Sequence, residues 1–526
     1  MTGRARATAR GSSTDRQPLP AHFEWFSSLS PRCLSIVIFL ITALLAALIY
    51  SPVIHQQFVD WDDVRNLSAV WKPSWERAGK IAADVDRRFT GVAYYHPLFF
   101  LSLMADQLLA LSDPQPAAWI AKSMNVVYHL INSYLVFLVL VTVGINRRAA
   151  FLGTLIFVAH PVQVGTVAWV TERKNVLCLL FYLSSFLVFL RYLARPRSVH
   201  LVLIPLLLLA ALLTKPQAVT LPAVMIAWLV LVNRGSARPG PLAAVVGTVF
   251  LIACAFGLFV LKTEVSYPGQ MPSWEYRPLI SAGAIWFYAK QFLFPYELVI
   301  IYPKWNVTGH VWAFAGLFAG LAAAAALILR YRKRIDRLVL FGGSFAVINI
   351  LPVSGLIPFG YMTHSFVADH FMYFPMVGIT LMVARGLEHV IEKLGPRRVY
   401  GTLLFMILAV WISALTVRAH RQVLLWGDPV AFWEATLKAN DKATGAYINY
   451  GRFCFNRGQY GKALSLFQRA SALAPSFDVP YNNMGDVYRA SGDLEKAEEM
   501  YTKAIEVNPE QVYPRLMIAG LLKQQN

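Results

Sequence analysis

Charge is scarce in this chain. Only 15% of its 526 residues are Asp, Glu, Lys or Arg, where a soluble globular domain carries about 25%, so a wholly soluble protein is excluded. Cysteine is scarcer. The four present (Cys33, Cys178, Cys254 and Cys454) are scattered, three of them in or beside apolar runs, with no CxxC pair. That excludes a disulfide framework. What is abundant is apolar length. The chain is 57% hydrophobic with a mean hydropathy of +0.49. The excess is gathered in runs of roughly 17–25 residues, the length that crosses a ~30 Å hydrocarbon core.

The runs lie near 33–54, 118–143, 149–168, 175–193, 199–214, 217–233, 241–261, 309–329, 338–352, 369–387 and 399–417. They predict an all-α, polytopic membrane bundle of about eleven transmembrane helices. The first twenty residues are rich in Arg, Ser and Pro, so 1–32 is expected to be a disordered cytoplasmic tail. The run that follows is too long for a signal-peptide core and is read as a retained helix. With the N-terminus inside, the basic clusters between runs fall on one side, as the positive-inside rule requires. This parity leaves Ala282 to Pro295, short and carrying Lys290, as an interfacial or re-entrant segment. It places 55–117, 262–308 and 353–368 on the outer face, together with the C-terminus. Loops longer than about 12–15 residues are usually functional.

The formal charge of +19 would suggest nucleic acid in a soluble protein. Here the inside segments hold 21 basic and 5 acidic residues, and residues 421–526 hold 12 and 11. The excess is therefore an orientation signal, with membrane lipid as the partner and no nucleic acid.

Composition turns soluble near Asp428. Tyr447, Gly451, Ala463, Phe467, Ala470 and Pro475 recur 34 residues later as Tyr481, Gly485, Ala497, Tyr501, Ala504 and Pro509. Small and aromatic residues at this period are the tetratricopeptide signature, so 428–526 is predicted to be an α-solenoid. A degenerate unit around Trp433 precedes the two, and a partial one begins near Val512. Such repeats form a concave surface for a polypeptide partner, or a cap on the membrane domain.

Chemistry gathers in the outer segments. The first outer loop opens with Asp60, Asp62 and Asp63 around Trp61. Close carboxylates raise each other's proton affinity, which readies one to deprotonate a hydroxyl; a solvated helix-capping turn would look the same. Glu172, Arg173 and Lys174 lie in an outside turn, and Lys215 sits at the same level. Cations there suit a phosphate headgroup, or snorkel to lipid phosphates. Asp369, before His370, reads as an N-cap or as a partner for one of these cations.

Several segments together resemble a known family. They are FVDWDD at 58–63, YHPL at 95–98, HPVQVGTVAWVTERKN at 160–175, LLTKP at 212–216 and ADHFMY at 368–373. These, with the membrane-then-repeat order over roughly 35–510, resemble bacterial relatives of the transmembrane and tetratricopeptide-repeat O-mannosyltransferases. That family is similar to the GT-C class, which takes a sugar from a polyprenyl-phosphate carrier. The resemblance implies a GT-C-like domain at 33–418 with Asp62 or Asp63 as general base. Arg173, Lys174 and Lys215 would hold the carrier phosphate and Glu172 would orient them, with Asp60, His96, His160, Asp369 and His370 supporting the cleft. The expected activity is transfer of a hexose such as mannose to Ser or Thr of an exported polypeptide. The expected setting is a bacterial inner membrane, or the endoplasmic reticulum in a eukaryote. Two positions depart from the pattern: Asn175 stands where ERKD has its acid, and His370 where ADRY has its arginine. No cofactor is expected to be obligatory; Asp60, Asp62, Asp63 and His96 could ligate a divalent cation, but no metal-site spacing occurs. An oligosaccharide ligase or polymerase, or a non-catalytic repeat scaffold, are the competing readings.

Overall fold

The structure, a computed structural model, describes residues 30–59, 61–70, 72–85, 89–90, 95–109, 118–233, 239–263, 271–394 and 398–525. All but the last three residues of the expected tail, parts of the outer loops, and Asp60 lie outside the described residues. Among the described residues every regular element is a helix.

The first helix, Pro31–Tyr50, starts where the Ser30 hydroxyl accepts the Cys33 amide at 3.2 Å and proline takes the first turn, as capping chemistry dictates. Each of the eleven apolar runs falls on helix. Among the described residues six helices are long and apolar enough to cross a bilayer: Arg32–His55, Ala118–Thr142, Val170–Ala194, Gly240–Lys262, Val311–Tyr331 and Val399–Gly427. Arg147–Ala159 and Pro161–Val167 pass the same test only as a pair, a broken span or a re-entrant loop bent by 53°, because Pro161 has no N–H to continue the ladder.

The other runs fall short of that standard. Ser198–Leu212, Pro216–Leu231 and Arg337–Val353 are apolar but shorter; a 15-residue helix covers only about 22 Å. The run expected from 369 opens as a 3₁₀ turn, Asp369–Met372. It becomes α-helix only at Pro375, and the helix ends among Glu388, Glu392 and Lys393. Ala282 to Pro295 falls on the Arg277–Leu293 helix and the extended segment after it.

Close packing follows from small residues, as it does between helices in lipid. A side chain at Gly342 would lie 2.7 Å from the Gly378 carbonyl, so the Arg337–Ile350 and Pro375–Leu394 helices meet backbone to backbone. The far end of the bundle, carrying the clusters read as inside, is tied by Arg385. It binds Asp336 at 2.8 Å and Glu388 at 2.5 Å.

Six helices from Pro429–Ala439 to Tyr513–Gln525 build the C-terminal solenoid. The 34-residue period has a steric cause: a side chain at Gly485 would strike the Tyr501 ring at 2.6 Å, and Gly451 and Phe467 repeat the arrangement one unit earlier. The solenoid docks on the loop that follows the first helix. Trp433, fully buried, stacks on Trp61 with ring centres 5.5 Å apart. Arg457 donates to Gln57 at 2.9 Å. The same loop is tied to the Val399–Gly427 helix, where Gln56 donates to the Val423 carbonyl at 2.7 Å. The repeats are thus built onto the loop that carries the acids.

Candidate active site

The acidic loop and the TERKN segment are joined by Thr171. Asp63 opens the Asp63–Val70 helix, and its Oδ1 accepts the Thr171 amide at 3.0 Å and the Thr171 hydroxyl at 2.8 Å. Asn66, one turn on, donates to the same hydroxyl at 3.0 Å. Asp63 is fully buried and its Oδ2 has no hydrogen-bond partner. Burial pushes its carboxyl up to about 6, against the Thr171 bonds and the nearby Lys122 charge. Asp62 is half-buried. Its carboxyl is also raised, first by desolvation, with Lys174, Arg65 and Arg452 opposing. Asp62 therefore feels the charge of Lys174, while Asp63 fastens the loop.

The cations divide. Glu172, 1% exposed, accepts from Lys174 at 3.1 Å and lies 3.9 Å from the Lys215 ammonium. Asn175 donates to Glu172 and accepts from Lys215 at 2.5 Å, so it serves the cluster where the pattern has an acid. Two lysines on one glutamate leave a formal surplus of one positive charge, and both keep some exposure, 24% and 13%. Burial depresses Lys215 to about 8, with Glu172 opposing. Arg173 is not with them. Fully buried, it pairs with Asp106 at 2.7 Å and donates to Asn125 and to the Ala121 carbonyl. A guanidinium held this way is spent on packing the Pro97–Leu109 and Ala118–Thr142 helices against the turn, so the structure separates it from Lys174 and Lys215.

The supporting residues also separate. His96 is buried and feels Lys174, Lys215 and Glu172; burial and the two lysines hold it neutral, down to about 3. Its segment is tied to the Lys215 turn by the Leu98 amide, which donates to the Leu213 carbonyl at 3.2 Å. His370 lies against the same cluster, its carbonyl accepting from Asn175 at 3.2 Å and its ring edge-on to Trp169. Burial lowers it to about 4, so it does not replace the missing arginine as a cation at neutral pH. His160 caps the helix break. Its Nδ1 accepts the Val162 amide at 3.4 Å, its Nε2 meets the Phe292 carbonyl at 2.9 Å, and its ring stacks on Phe292. Both nitrogens are engaged by backbone rather than turned to a cleft. Asp369 is neither an N-cap nor a partner of the lysines. It accepts from Tyr302 at 2.8 Å and Gln291 at 3.5 Å, and burial raises it to about 8. Among the described residues no group of three or more His, Cys, Asp or Glu side chains is placed to hold a metal ion.

Sequence reasoning missed four contributors. Thr171 gave no signal, because its partner is Asp63. Lys122 is 1% exposed and donates to the Gln57 carbonyl at 2.7 Å and to Gln56 at 3.2 Å. Asn125 donates to the Trp169 carbonyl and Asn132 to the Val176 carbonyl. Lys122, Asn125, His129 and Asn132 form one polar stripe at helical spacing inside an apolar run. A charged residue in a membrane helix is a functional candidate by default, and that signal was available.

The chain is similar to known proteins. Residues 442–510 match the tetratricopeptide repeat family. Over 457 residues the chain is 22% identical to mouse "Protein O-mannosyl-transferase TMTC3", covering 79% of this chain and 48% of that protein. The human protein of that name is 21% identical over 462 residues, with the same coverage. Human "Protein O-mannosyl-transferase TMTC1" is 22% identical over 479 residues, covering 76% and 50%. The chain is a relative of the transmembrane and tetratricopeptide-repeat O-mannosyltransferases. It spans about half the length of these curated relatives. The apolar helices make it a multi-pass membrane protein, with the repeats seated beside the loop that carries Asp62.

Proposed function

We propose that this protein transfers a sugar, a hexose such as mannose, from a polyprenyl-phosphate carrier to a serine or threonine hydroxyl of an exported polypeptide. The reaction is a GT-C-type single displacement with inversion. Asp62 takes the hydroxyl proton, the oxygen attacks the anomeric carbon, and the bond from that carbon to the phosphate oxygen breaks. The electron pair leaves with the polyprenyl phosphate, whose charge falls to Lys174 and Lys215. The observation that carries this reading is the pair of partly exposed lysines anchored on buried Glu172, beside a half-buried carboxylate raised by its surroundings.

Each part has a physical reason. A general base contributes about 10²–10⁴-fold, and a base with raised proton affinity is better suited to a hydroxyl. Preorganised cations on the departing phosphate supply the electrostatic part. Glu172 fixes the lysines without cancelling both. An apolar carrier requires a site at the membrane face, where these residues lie at helix ends. The basic clusters at the opposite end support a cytoplasmic N-terminus and an extracytoplasmic site, in a bacterial inner membrane or the endoplasmic reticulum. With the lysines neutralising the phosphate, no metal is required.

The test is transfer of labelled mannose from synthetic polyprenyl-phosphate-mannose to a Ser/Thr peptide by the purified chain in lipid nanodiscs, with and without chelator. Incorporation of one hexose that persists in chelator is expected. Transfer of an intact oligosaccharide, or no transfer with any polyprenyl-phosphate sugar, overturns the reading.

A further inference from the structure

The aromatic rings between the solenoid and the acid loop form a closed circuit. Trp61 stacks on Trp433 with ring centres 5.5 Å apart, Trp433 meets Phe432 at 5.0 Å, and Phe432 meets Trp426 at 4.6 Å. Trp426 then meets Trp169 at 5.9 Å, and Trp169 returns to Trp61 at 6.1 Å. All five separations lie in the range where aromatic rings attract, about 4.5–7 Å. Trp61 is half-buried and the other four rings are buried. The circuit reaches both halves of the chemistry. Trp61 precedes Asp62 in the chain, and Trp169 lies three residues before Glu172, which holds Lys174.

Trp433 owes its place in the circuit to a defect in its own repeat. Trp433, Phe467 and Tyr501 stand 34 residues apart. In the two full units the ring closes on a glycine sixteen residues earlier, Gly451 against Phe467 and Gly485 against Tyr501. The residue sixteen before Trp433 is Val417, 51% exposed on the Val399–Gly427 helix. Trp433 thus has no glycine of its own to sit on, and it turns to the acid loop instead. Among the described residues the indole N–H groups of Trp433 and Trp169 have no hydrogen-bond partner, although a buried tryptophan usually finds one. These places are held for the flat face of the ring rather than for its polar edge.

We propose that Trp433 is a positioning residue: through its stack on Trp61 it fixes Asp62 relative to Lys174, so the site is complete only with the degenerate first repeat seated. Neighbouring contacts serve the same loop. A side chain at Gly445 would lie 3.3 Å from His364, whose ring meets Trp61 edge-on at 5.7 Å. Arg457 holds Gln57, five residues before Asp62. Trp433 touches no reacting atom, but a misplacement of about 1 Å costs about 10²-fold in rate. That the positioned carboxylate is a base rests on the transfer reading; the positioning itself does not.

The experiment compares Trp433→Leu, which keeps apolar bulk and removes the flat face, with Trp433→Phe, which keeps a ring, in the full chain in lipid nanodiscs. If Trp433→Leu fails to fold, Trp433→Met, which fills irregular space, takes its place. For the first readout Asp62→Cys and Lys174→Cys are introduced together, and their cross-linking by a short bis-methanethiosulfonate is timed by mass spectrometry below each variant's unfolding midpoint. Trp433→Leu should slow cross-linking about tenfold or more, and Trp433→Phe should not. The second readout is transfer with Asp62 and Lys174 in place. Trp433→Leu should lower kcat about 10- to 100-fold with donor KM little changed, because Lys174 and Lys215 stay on Glu172; Trp433→Phe should restore most of it. A merely structural tryptophan would lower the unfolding midpoint and leave cross-linking as it was. Unchanged cross-linking in Trp433→Leu overturns the proposal, as does an undiminished kcat or a Trp433→Phe variant no better than Trp433→Leu. Absence of transfer by the unaltered chain sinks the transfer reading alone, and cross-linking then decides the positioning.

Discussion

Arg173 is fully buried and bound to Asp106, whereas Lys174, the next residue, stays 24% exposed and shares Glu172 with Lys215. Consecutive residues on a helix point about 100° apart, so one cation enters the interior and the other reaches the surface of the site. The interior cation must bring its anion, since an isolated buried charge is prohibitively costly. Its charge is consumed by the fold. The surface pair exceeds its anion by one charge and remains available to a phosphate. Neighbouring residues of the same charge thus serve different ends, and full burial with a dedicated partner is the physical mark of the structural one.

The comparison can be broken at several points. The largest expected effect is at Asp62. Asp62→Asn should lower transfer by about 10²–10⁴-fold while the thermal unfolding of the detergent-solubilised protein stays where it was. Asp63→Asn should instead disturb the Thr171 bonds and shift unfolding as well as rate. Equal effects of the two on unfolding would erase the distinction between base and fastener.

Next comes the interior pair. Removing one partner, as in Asp106→Ala, should destabilise the fold by about 3–5 kcal/mol, read as a lowered unfolding midpoint. Replacing both, Asp106→Leu with Arg173→Met, should recover much of it. A phosphate-binding role for Arg173 would instead leave the double variant stable but unable to bind donor.

Lys215→Ala should act the opposite way. It should reduce kcat/KM for the donor about 10- to 100-fold, the worth of a hydrogen bond to a charged group, with little change in unfolding. The smallest effect is in the pH profile. The proposed reaction needs Asp62 ionised and Lys215 protonated. Burial raises Asp62 above the ordinary carboxylate value and lowers Lys215 to about 8, so the acidic limb lies above the usual range and the alkaline limb near 8. Lys215→Arg should move only the alkaline limb, upward. Stability follows Asp63 with its own sign. Its proton is held more tightly folded than unfolded, so its contribution is present below the ordinary value of 3.8 and is lost as pH rises through about 6.

How much was legible in the sequence depended on range. The solenoid was legible because Gly451 and Gly485 meet Phe467 and Tyr501 within a single unit, a local steric rule that repeats. Glu172 and Lys174 were legible because they are two residues apart. Asn66 is 5% exposed and donates to Thr171, a pairing that nothing beside it in the chain announces. His160 read as a cleft residue, yet the helix break beside Pro161 turns it onto backbone. Such partners lie about a hundred residues away or more, beyond any local pattern.

Sequence by itself determined the apolar excess, the all-helical class, the repeats and the gathering of acids and cations between the apolar runs. Those follow from composition and short-range periodicity, which act on each segment separately. Only the tertiary structure decided that Thr171 ties the acid loop to the TERKN turn, that Trp433 seats the repeats on Trp61, and that the scarce cations divide into one spent on Asp106 and two held on Glu172. Those outcomes depend on which helix ends meet, and a charge takes its role from the partner and the solvent it finds there.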